Sequence, residues 1–156
     1  MNIRKIEEKD NLVLFNLIRK CLEDADLAME GTVYVDDSIR HLSDYYGVDN
    51  GEYFVLVDDN DNVIGGIGYG RFEGDICELQ KMYLNPDYRG EGLSYKLVDY
   101  VCNKAKEFYK KIYLETHTNL NIAIHVYEKS GFTYLDKPLN VAVHSAMNVF
   151  MIKDLL

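Results

Sequence analysis

The chain has 156 residues, 47% of them apolar and 28% charged, with a formal net charge of −9. This size and balance predict a single globular domain over residues 1–156. The acidity disfavours nucleic-acid binding, which needs basic patches, and no apolar run approaches the roughly 18 residues of a membrane span. The N-terminus has no apolar stretch typical of a secretory signal, so we expect a cytoplasmic protein with no membrane partner.

The metal-binding and thiol residues predict neither a metal site nor a disulfide framework. Three cysteines, Cys21, Cys77 and Cys102, are widely spaced along the chain, which favours reduced thiols. The histidines show no ligand spacing with one another or with cysteine; they are His41, His117, His125 and His144.

The first half of the chain begins with a predicted strand over Met1–Ile6. Asp10 can cap a helix that continues to about Glu23, because apolar residues follow it at helical spacing. Residues 24–35 resemble a loop, and a second helix is expected over Asp37–Tyr46.

A meander of three strands follows, over Tyr53–Val57, Val63–Tyr69 and Ile76–Leu84, before Pro86 stops the pairing. The middle strand is unusually rich in glycine between residues 65 and 70. Such a run predicts a bent or bulged strand.

The second half alternates helices and strands. Helices are expected over Gly92–Tyr109 and Leu120–Lys129, and strands over Ile112–Thr116, Phe132–Leu135 and Ala146–Ile152. The whole order predicts a mixed α/β, or α+β, layer structure.

The most informative segment runs from a strand through a proline turn and two glycines, Gly90 and Gly92, into a helix start. Consecutive backbone N–H groups at a helix N-terminus bind phosphate through hydrogen bonds and the helix dipole. The segment lacks the Gly-Lys-Ser/Thr ending of a Walker A loop. Tyr95 and Arg71 stand where the dinucleotide pattern needs its third glycine in the two glycine-rich stretches.

Two segments resemble signatures of the GNAT superfamily of N-acetyltransferases. Arg89-x-x-Gly92-x-Ser94 is similar to its pyrophosphate signature, Arg/Gln-x-x-Gly-x-Gly/Ala, with serine as another small residue. Tyr127-Glu128-Lys129-Ser130-Gly131-Phe132 resembles its Tyr-Glu-Lys-x-Gly-Phe signature. The stretch 78–83 and the ends of 138–144 are similar to an uncharacterised bacterial subgroup.

The resemblance covers essentially the whole chain and implies the GNAT acyl-CoA N-acyltransferase fold, with a mixed, mostly antiparallel central sheet flanked by helices. It implies transfer of an acetyl group from acetyl-CoA to an amine, directly within a ternary complex and without an acyl-enzyme. It also favours a homodimer, often formed through C-terminal strands.

The resemblance further implies which residues hold the coenzyme. The backbone of the third meander strand would contact the pantetheine and thioester, the loop N–H groups would bind the pyrophosphate, and Arg89 would add charge. These residues are Met82, Tyr83, Leu84, Arg89, Gly90, Glu91, Gly92, Leu93 and Ser94.

Catalysis would need a proton donor and a proton acceptor. Tyr127 matches the family's general acid, and a phenol with a pKa near 10 is protonated at neutral pH. Glu78 is the candidate base or amine anchor, with Glu115 and His144 as alternatives. Strand alternation predicts that Glu78 lies on one side with Gln80, Met82 and Leu84.

The acceptor stays open between a small-molecule amine and a protein amino group. Residues 24–50 are acidic, and this acidity suits a polyamine, an aminoglycoside, an amino acid, a protein lysine or mere solvation. Their carboxylates include Asp24, Asp26, Glu30, Asp36 and Asp37. Two further hypotheses remain: a non-catalytic acyl-CoA sensor or partner protein of the same fold, and an enzyme that uses propionyl- or succinyl-CoA.

Overall fold

The computed structural model describes residues 1–140 and 144–156, so part of the 138–144 stretch lies outside the described residues. The strands are β1 (Asn2–Lys5), β2 (Glu52–Val57), β3 (Val63–Glu73), β4 (Ile76–Leu84), β5 (Lys111–Thr116), β6 (Thr133–Leu135) and β7 (Val149–Asp154). The α-helices are α1 (Asn11–Asp24), α2 (Leu93–Ala105) and α3 (Asn121–Lys129). Short 3₁₀ segments lie at Glu8–Asp10, Val33–Val35, Asp37–Tyr45 and Pro86–Tyr88.

The strands form one sheet in the order β1-β2-β3-β4-β5-β7-β6. Each neighbouring pair is antiparallel except β4 and β5, which run parallel. The predicted mixed, mostly antiparallel sheet flanked by helices is therefore confirmed.

Apolar side chains on both faces of the sheet hold the helices in place. Successive residues of a strand point to opposite faces, and β2 follows this rule. Phe54 and Leu56 pack with α2 and α3 in one cluster, the α2–α3 core. Tyr53, Val55 and Val57 pack with α1 in a second cluster, the α1-side core. Burial of each such side chain contributes about 1.5–3 kcal/mol, so the sheet is stabilised from both sides.

The prediction that Asp10 caps α1 with its side chain is wrong. Asp10 precedes the helix but makes no side-chain cap to it. Its buried carboxylate instead accepts hydrogen bonds from the Arg4 guanidinium at 2.8 and 2.9 Å and from the Glu7 backbone N–H at 2.8 Å. A charged guanidinium is a stronger donor than a backbone amide, and the pair ties β1 to the start of α1.

The predicted second helix is a 3₁₀ segment with non-helical backbone at His41. The Ser43 N–H donates to the Asn11 side chain at 2.9 Å, and the Asn11 amide donates to the Ser43 hydroxyl at 2.8 Å. Side-chain partners of this kind compete with the regular helical ladder. A tertiary contact with α1 therefore replaces the helical bond that local sequence favours.

A β-bulge lies opposite the glycine-rich run, but its extra residue is in β4 and not in the glycine-rich strand β3 for which a bulge was predicted. Gly66 pairs with Tyr83 while Gly68 pairs with Gln80, so two residues of β4 face one of β3. Lys81 lies in the bulge with a φ of 52°. A bulge shifts the alternation of side chains by one residue.

This bulge overturns one prediction about the site. Gln80 lies on the α1 side of the sheet. Its side-chain oxygen accepts a hydrogen bond from the hydroxyl of Tyr46, which packs with the α1-side core. Met82 and Leu84 pack against the α2–α3 core. The expectation that Glu78, Gln80, Met82 and Leu84 share one side is wrong, because the extra residue reverses the alternation between Gln80 and Met82.

Tyr53 of β2 stabilises the bulge in β4 from across the intervening strand β3. Its fully buried ring occupies the space where a Cβ on Gly66 or Gly68 would approach to 2.6 Å. Its hydroxyl donates to the Lys81 carbonyl at 2.8 Å. The glycines are therefore needed for close approach of this ring, and the ring supplies the partner that a bulged carbonyl would otherwise lack.

We expect Tyr53→Phe to lower the free energy of unfolding by about 1 kcal/mol, because it removes a buried hydrogen bond without changing the ring. Urea unfolding followed by circular dichroism measures this change. Tyr45→Phe, at an exposed phenol, serves as the control and should leave the midpoint unchanged. Equal midpoints for wild type and Tyr53→Phe would contradict the stabilising role.

Candidate active site

A cleft opens where β4 and β5 separate. The two strands pair only over Ile76–Glu78 and Lys111–Tyr113. Beyond these residues the facing edge of β4 is free of β5, and the opening encloses about 870 Å³ of empty space, its mouth included. We call this opening the central cleft; its polar lining includes Glu78, Lys81, Glu115, Tyr127 and His144.

The central cleft continues into a groove between the N-terminal ends of α2 and α3. Two adjoining cavities form this long groove, and Met82, Tyr83 and Ala123 line both it and the central cleft. At its far end lie Gly90 and Gly92. An extended ligand can therefore reach from the glycines to Glu78 without crossing the core.

The glycine loop fits a pyrophosphate. Gly90 and Gly92 have φ values of 84° and 74°, and a Cβ on either would meet nothing within 4 Å. Their left-handed backbone, rather than a crowded neighbour, is what requires glycine. The first turn of α2 carries N–H groups without helical partners, and the exposed Arg89 lines the same groove. These donors and this charge fit coenzyme A.

The predicted coenzyme residues divide between two walls. Met82, Tyr83 and Leu84 line the groove from the strand side, and Arg89, Gly90, Gly92, Leu93 and Ser94 line it from the loop and helix side. Glu91 is exposed in the same loop but is not among the lining residues. The structure thus brings all but one of the nine residues to the groove.

Sequence patterns missed the opposite wall of the groove. Asn121, Ile122 and His125 of α3 line it, as do Asn119 and Cys21. The Asn119 amide donates to the carbonyl of Ala25 at 2.9 Å, which joins the start of α3 to the end of α1. No local signature marks these positions, since only the packing of α3 beside α2 brings them to the groove.

Tyr127 presents its phenol to the central cleft. The residue is 5% exposed and packs edge-on against Phe132. Across the described ranges 1–140 and 144–156 its hydroxyl has no hydrogen-bond partner. Burial raises the pKa of this phenol well above 10, so it remains protonated at neutral pH and is free to donate to a ligand.

Glu78 is held by a short chain of side chains. The Tyr46 hydroxyl donates to the Gln80 carbonyl oxygen at 2.6 Å, and the Gln80 amide donates to Oε1 of Glu78 at 2.8 Å. Burial raises the pKa of Glu78; the Gln80 bond opposes this and the nearby Glu115 carboxylate adds to it. The chain fixes the orientation of a carboxylate that borders the cleft.

The two alternative bases, Glu115 and His144, also line the central cleft, but each is hydrogen-bonded to another side chain. Glu115 accepts a hydrogen bond from the Tyr113 hydroxyl at 2.7 Å. His144 pairs through Nε2 with the Asp36 carboxylate at 2.7 Å, which connects the segment after α1 to the segment before β7. Within the described part of the chain, Glu78 is the one of the three that is held only by a neutral amide.

The remaining cysteine and histidine side chains form no metal centre in the residues described. There, no group of three or more His, Cys, Asp or Glu side chains is placed to hold an ion. Cys21, Cys77 and Cys102 are buried free thiols. No described helix is long and apolar enough to cross a membrane.

Comparison with known proteins agrees with this geometry. Residues 14–132 match the Acetyltransferase (GNAT) family. The chain is 35% identical to the uncharacterised N-acetyltransferase YjgM of Escherichia coli strain K12 over 158 residues, which covers 98% of this chain and 94% of that protein. This chain therefore belongs to the GNAT family of acetyltransferases.

Solved structures show the same fold. A GNAT acetyltransferase from Staphylococcus aureus Mu50 superposes with a TM-score of 0.88 at 23% identity, with 99% of each chain covered. A GNAT phosphinothricin acetyltransferase from Sinorhizobium meliloti, solved in complex with acetyl-CoA, gives a TM-score of 0.76 at 16% identity, with 98% of this chain and 87% of that chain covered. The protein is an acyltransferase with the fold of coenzyme A-binding relatives.

Proposed function

We propose that the protein transfers an acetyl group from acetyl-CoA directly to a primary amine, without an acyl-enzyme. The observation that carries the proposal is the arrangement of three groups along one continuous opening. The Tyr127 phenol and the Glu78 carboxylate border the central cleft, and the α2 N-terminus closes the far end of the groove that leads from it. A single domain and a homodimer remain predictions.

The long groove is the proposed coenzyme site. Bound acetyl-CoA supplies an activated thioester, so no nucleophile from the protein is needed. The N–H groups around Gly90–Ser94 and the Arg89 guanidinium bind the pyrophosphate. The edge of β4 from Met82 to Leu84, which β5 leaves unpaired, offers backbone groups to the pantetheine arm. The acetyl-CoA complex of the Sinorhizobium relative supports this assignment.

Tyr127 is the proposed general acid. Its raised pKa keeps the proton on the phenolic oxygen, and the low exposure of the ring limits exchange with bulk water. A sulfur atom that leaves as a thiolate is a stronger base in such a dry site than in water. The unpartnered hydroxyl is therefore available to donate its proton there.

Glu78 is the proposed base or amine anchor. A carboxylate whose pKa is raised by burial accepts a proton more readily near neutral pH than an exposed one. Gln80 occupies Oε1, so the other oxygen is the one that faces an incoming ammonium. A bridging water can complete the path.

We expect Glu78→Gln to lower kcat by about 100-fold or more and to remove the acidic limb of the pH–rate profile. In the wild type, kcat/KM should fall as pH falls through the pKa of Glu78, which lies above the ordinary carboxyl value, because the protonated acid cannot accept the amine proton. Initial rates between pH 5 and 9 measure this. The exposed Glu73→Gln should keep both rate and profile.

The free energy of unfolding gives a second test of the raised pKa of Glu78. Since the pKa of Glu78 is higher in the folded than in the unfolded chain, folding stability is lost as pH rises through that interval. Glu78→Gln should therefore be more stable than the wild type at pH 8, and this advantage should shrink below about pH 4. A variant that keeps full activity, or is less stable at pH 8, would contradict the assignment.

The transfer itself is tested by incubating purified protein with acetyl-CoA and a panel of amines, with product mass measured by mass spectrometry. Acetylated amine, with no 42 Da adduct (about one acetyl group) on the intact protein in the absence of acceptor, supports direct transfer. Acetyl-CoA binding with no product from any amine favours the non-catalytic sensor instead. Parallel incubations with propionyl- and succinyl-CoA define the donor.

A further inference from the structure

Lys81 occupies an unusual position in the central cleft. It lies in the β4 bulge with a φ of 52°, which few residues other than glycine, asparagine and aspartate adopt. Its carbonyl is held by Tyr53, and the residue lines the cleft beside Glu78. The bulge thus places a cation where regular alternation would have turned the side chain elsewhere.

The Lys81 ammonium has no ionic partner among residues 1–140 and 144–156. No carboxylate lies within 4.0 Å of it in the ion pairs of the described chain. The nearby carboxylates are each bound by another group: Glu78 by Gln80, Glu115 by Tyr113 and Asp36 by His144. Burial lowers the pKa of Lys81, and the more distant charges of Glu78 and Asp36 oppose that change.

A half-buried cation without an ion-pair partner is costly, because it has lost water and gained only the weak attraction of more distant carboxylates. A ligand carboxylate would provide that charge. The same cleft is lined by the Glu78 carboxylate, which makes no ion pair with Lys81, so it presents one group for an ammonium and one for an anion. A polycation would instead bring a second positive charge next to Lys81, which is unfavourable.

We infer that the acceptor is a small zwitterion, an amino acid, whose carboxylate pairs with Lys81 while its amine faces Glu78. The inference rests on the proposed function for the role of Glu78. The central cleft is open to solvent rather than enclosed, so a small molecule can enter it. Its apolar lining, which includes Leu22, Leu114 and Met147, leaves room for an uncharged side chain.

The test compares L-amino acids with their own carboxamides, which keep the amine and the side chain but lose the negative charge. Values of kcat/KM are measured for L-methionine, L-phenylalanine, L-leucine and the three amides, with spermidine as a polycation. The variant is Lys81→Met, which keeps a long unbranched side chain at the same backbone conformation. Lys106→Met, at an exposed lysine after α2, is the matched control, and Lys81→Gln is a second variant in case the first is unstable.

The wild type should prefer at least one amino acid over its amide by about 10- to 100-fold, the worth of one charge-assisted pair. In Lys81→Met this preference should disappear because kcat/KM falls for the amino acid alone. The kcat/KM values for the amide and for spermidine should be unchanged or higher. Lys106→Met should behave as the wild type. Equal rates for acid and amide in the wild type, or an equal loss for both in Lys81→Met, would overturn the inference.

Binding separates this inference from the proposed transfer reaction. Each amino acid and amide is titrated by calorimetry into protein saturated with coenzyme A. If no amine is acetylated but an amino acid binds and Lys81→Met abolishes that binding, the zwitterion site stands and the transferase proposal fails. If amines are acetylated without regard to the carboxylate, the transferase proposal stands and this inference fails. No binding of any amino acid, together with no turnover, overturns it.

Discussion

Replacing Tyr127 by phenylalanine is expected to lower kcat by about 100-fold or more, the usual contribution of a positioned general acid. The ring and its packing against Phe132 remain, and only the proton is lost. Because the hydroxyl has no partner in the described chain, the free energy of unfolding should change by no more than about 0.5 kcal/mol. Initial rates and urea unfolding of the same preparations measure the two quantities.

Tyr100→Phe is the matched control for this experiment. Tyr100 is a half-buried phenol on α2 that packs edge-on against Phe54 at 5.0 Å, and it lines neither the central cleft nor the long groove. Loss of the Tyr100 hydroxyl should leave kcat within about two-fold of the wild type. A Tyr127→Phe protein with full turnover would show that another group, or water, protonates the leaving sulfur.

The second large effect is expected from the double variant Arg89→Glu/Gly92→Asp. It places two negative charges where the groove now offers a cation and the open N-terminus of α2. Repulsion of the pyrophosphate, added to the lost guanidinium, should weaken acetyl-CoA binding by more than about 100-fold, or roughly 2.7 kcal/mol. Isothermal titration with acetyl-CoA measures the affinity, and the wild type should bind in the micromolar range.

Backbone strain must be separated from charge in this variant, since Gly92 has a φ of 74° and any side chain there is strained. Gly74→Ala supplies the comparison, because Gly74 has a φ of 56° in the β3–β4 turn with nothing near its missing Cβ. Its substitution should cost about 1 kcal/mol of stability and leave binding unchanged. Micromolar binding by the double variant would instead contradict the proposed pyrophosphate site.

Regular elements with strong periodicity were predictable from residues alone. β4 has the predicted bounds of Ile76–Leu84, and α3, at Asn121–Lys129, differs by one residue at its start. In both segments, local propensity and the terminating residue agree. α2 ends at Ala105 rather than continuing to Tyr109, since Phe108 projects into solvent, 53% exposed, and gains nothing from further helix.

The candidate site likewise contains residues that local sequence predicts and residues that only packing brings together. The glycine loop was predictable because its conformation follows from glycine's access to positive φ and from helix geometry. Tyr127 was a candidate because the contiguous segment 127–132 resembles a GNAT signature. The α3 wall at Asn121 and His125 was not, because contact across the groove depends on how two helices pack against one sheet.

The amino-acid sequence by itself therefore determined the family fold and pointed to the glycine loop and Tyr127 as candidate site residues. Only the tertiary structure decided the inward position of Lys81 and the side on which Glu78 lies relative to Met82. The physical reason is the bulge at Lys81: it depends on the Tyr53 ring lying over Gly66 and Gly68 of the neighbouring strand. One residue inserted against a partner strand reverses every later side chain, and no pattern within β4 encodes where that happens.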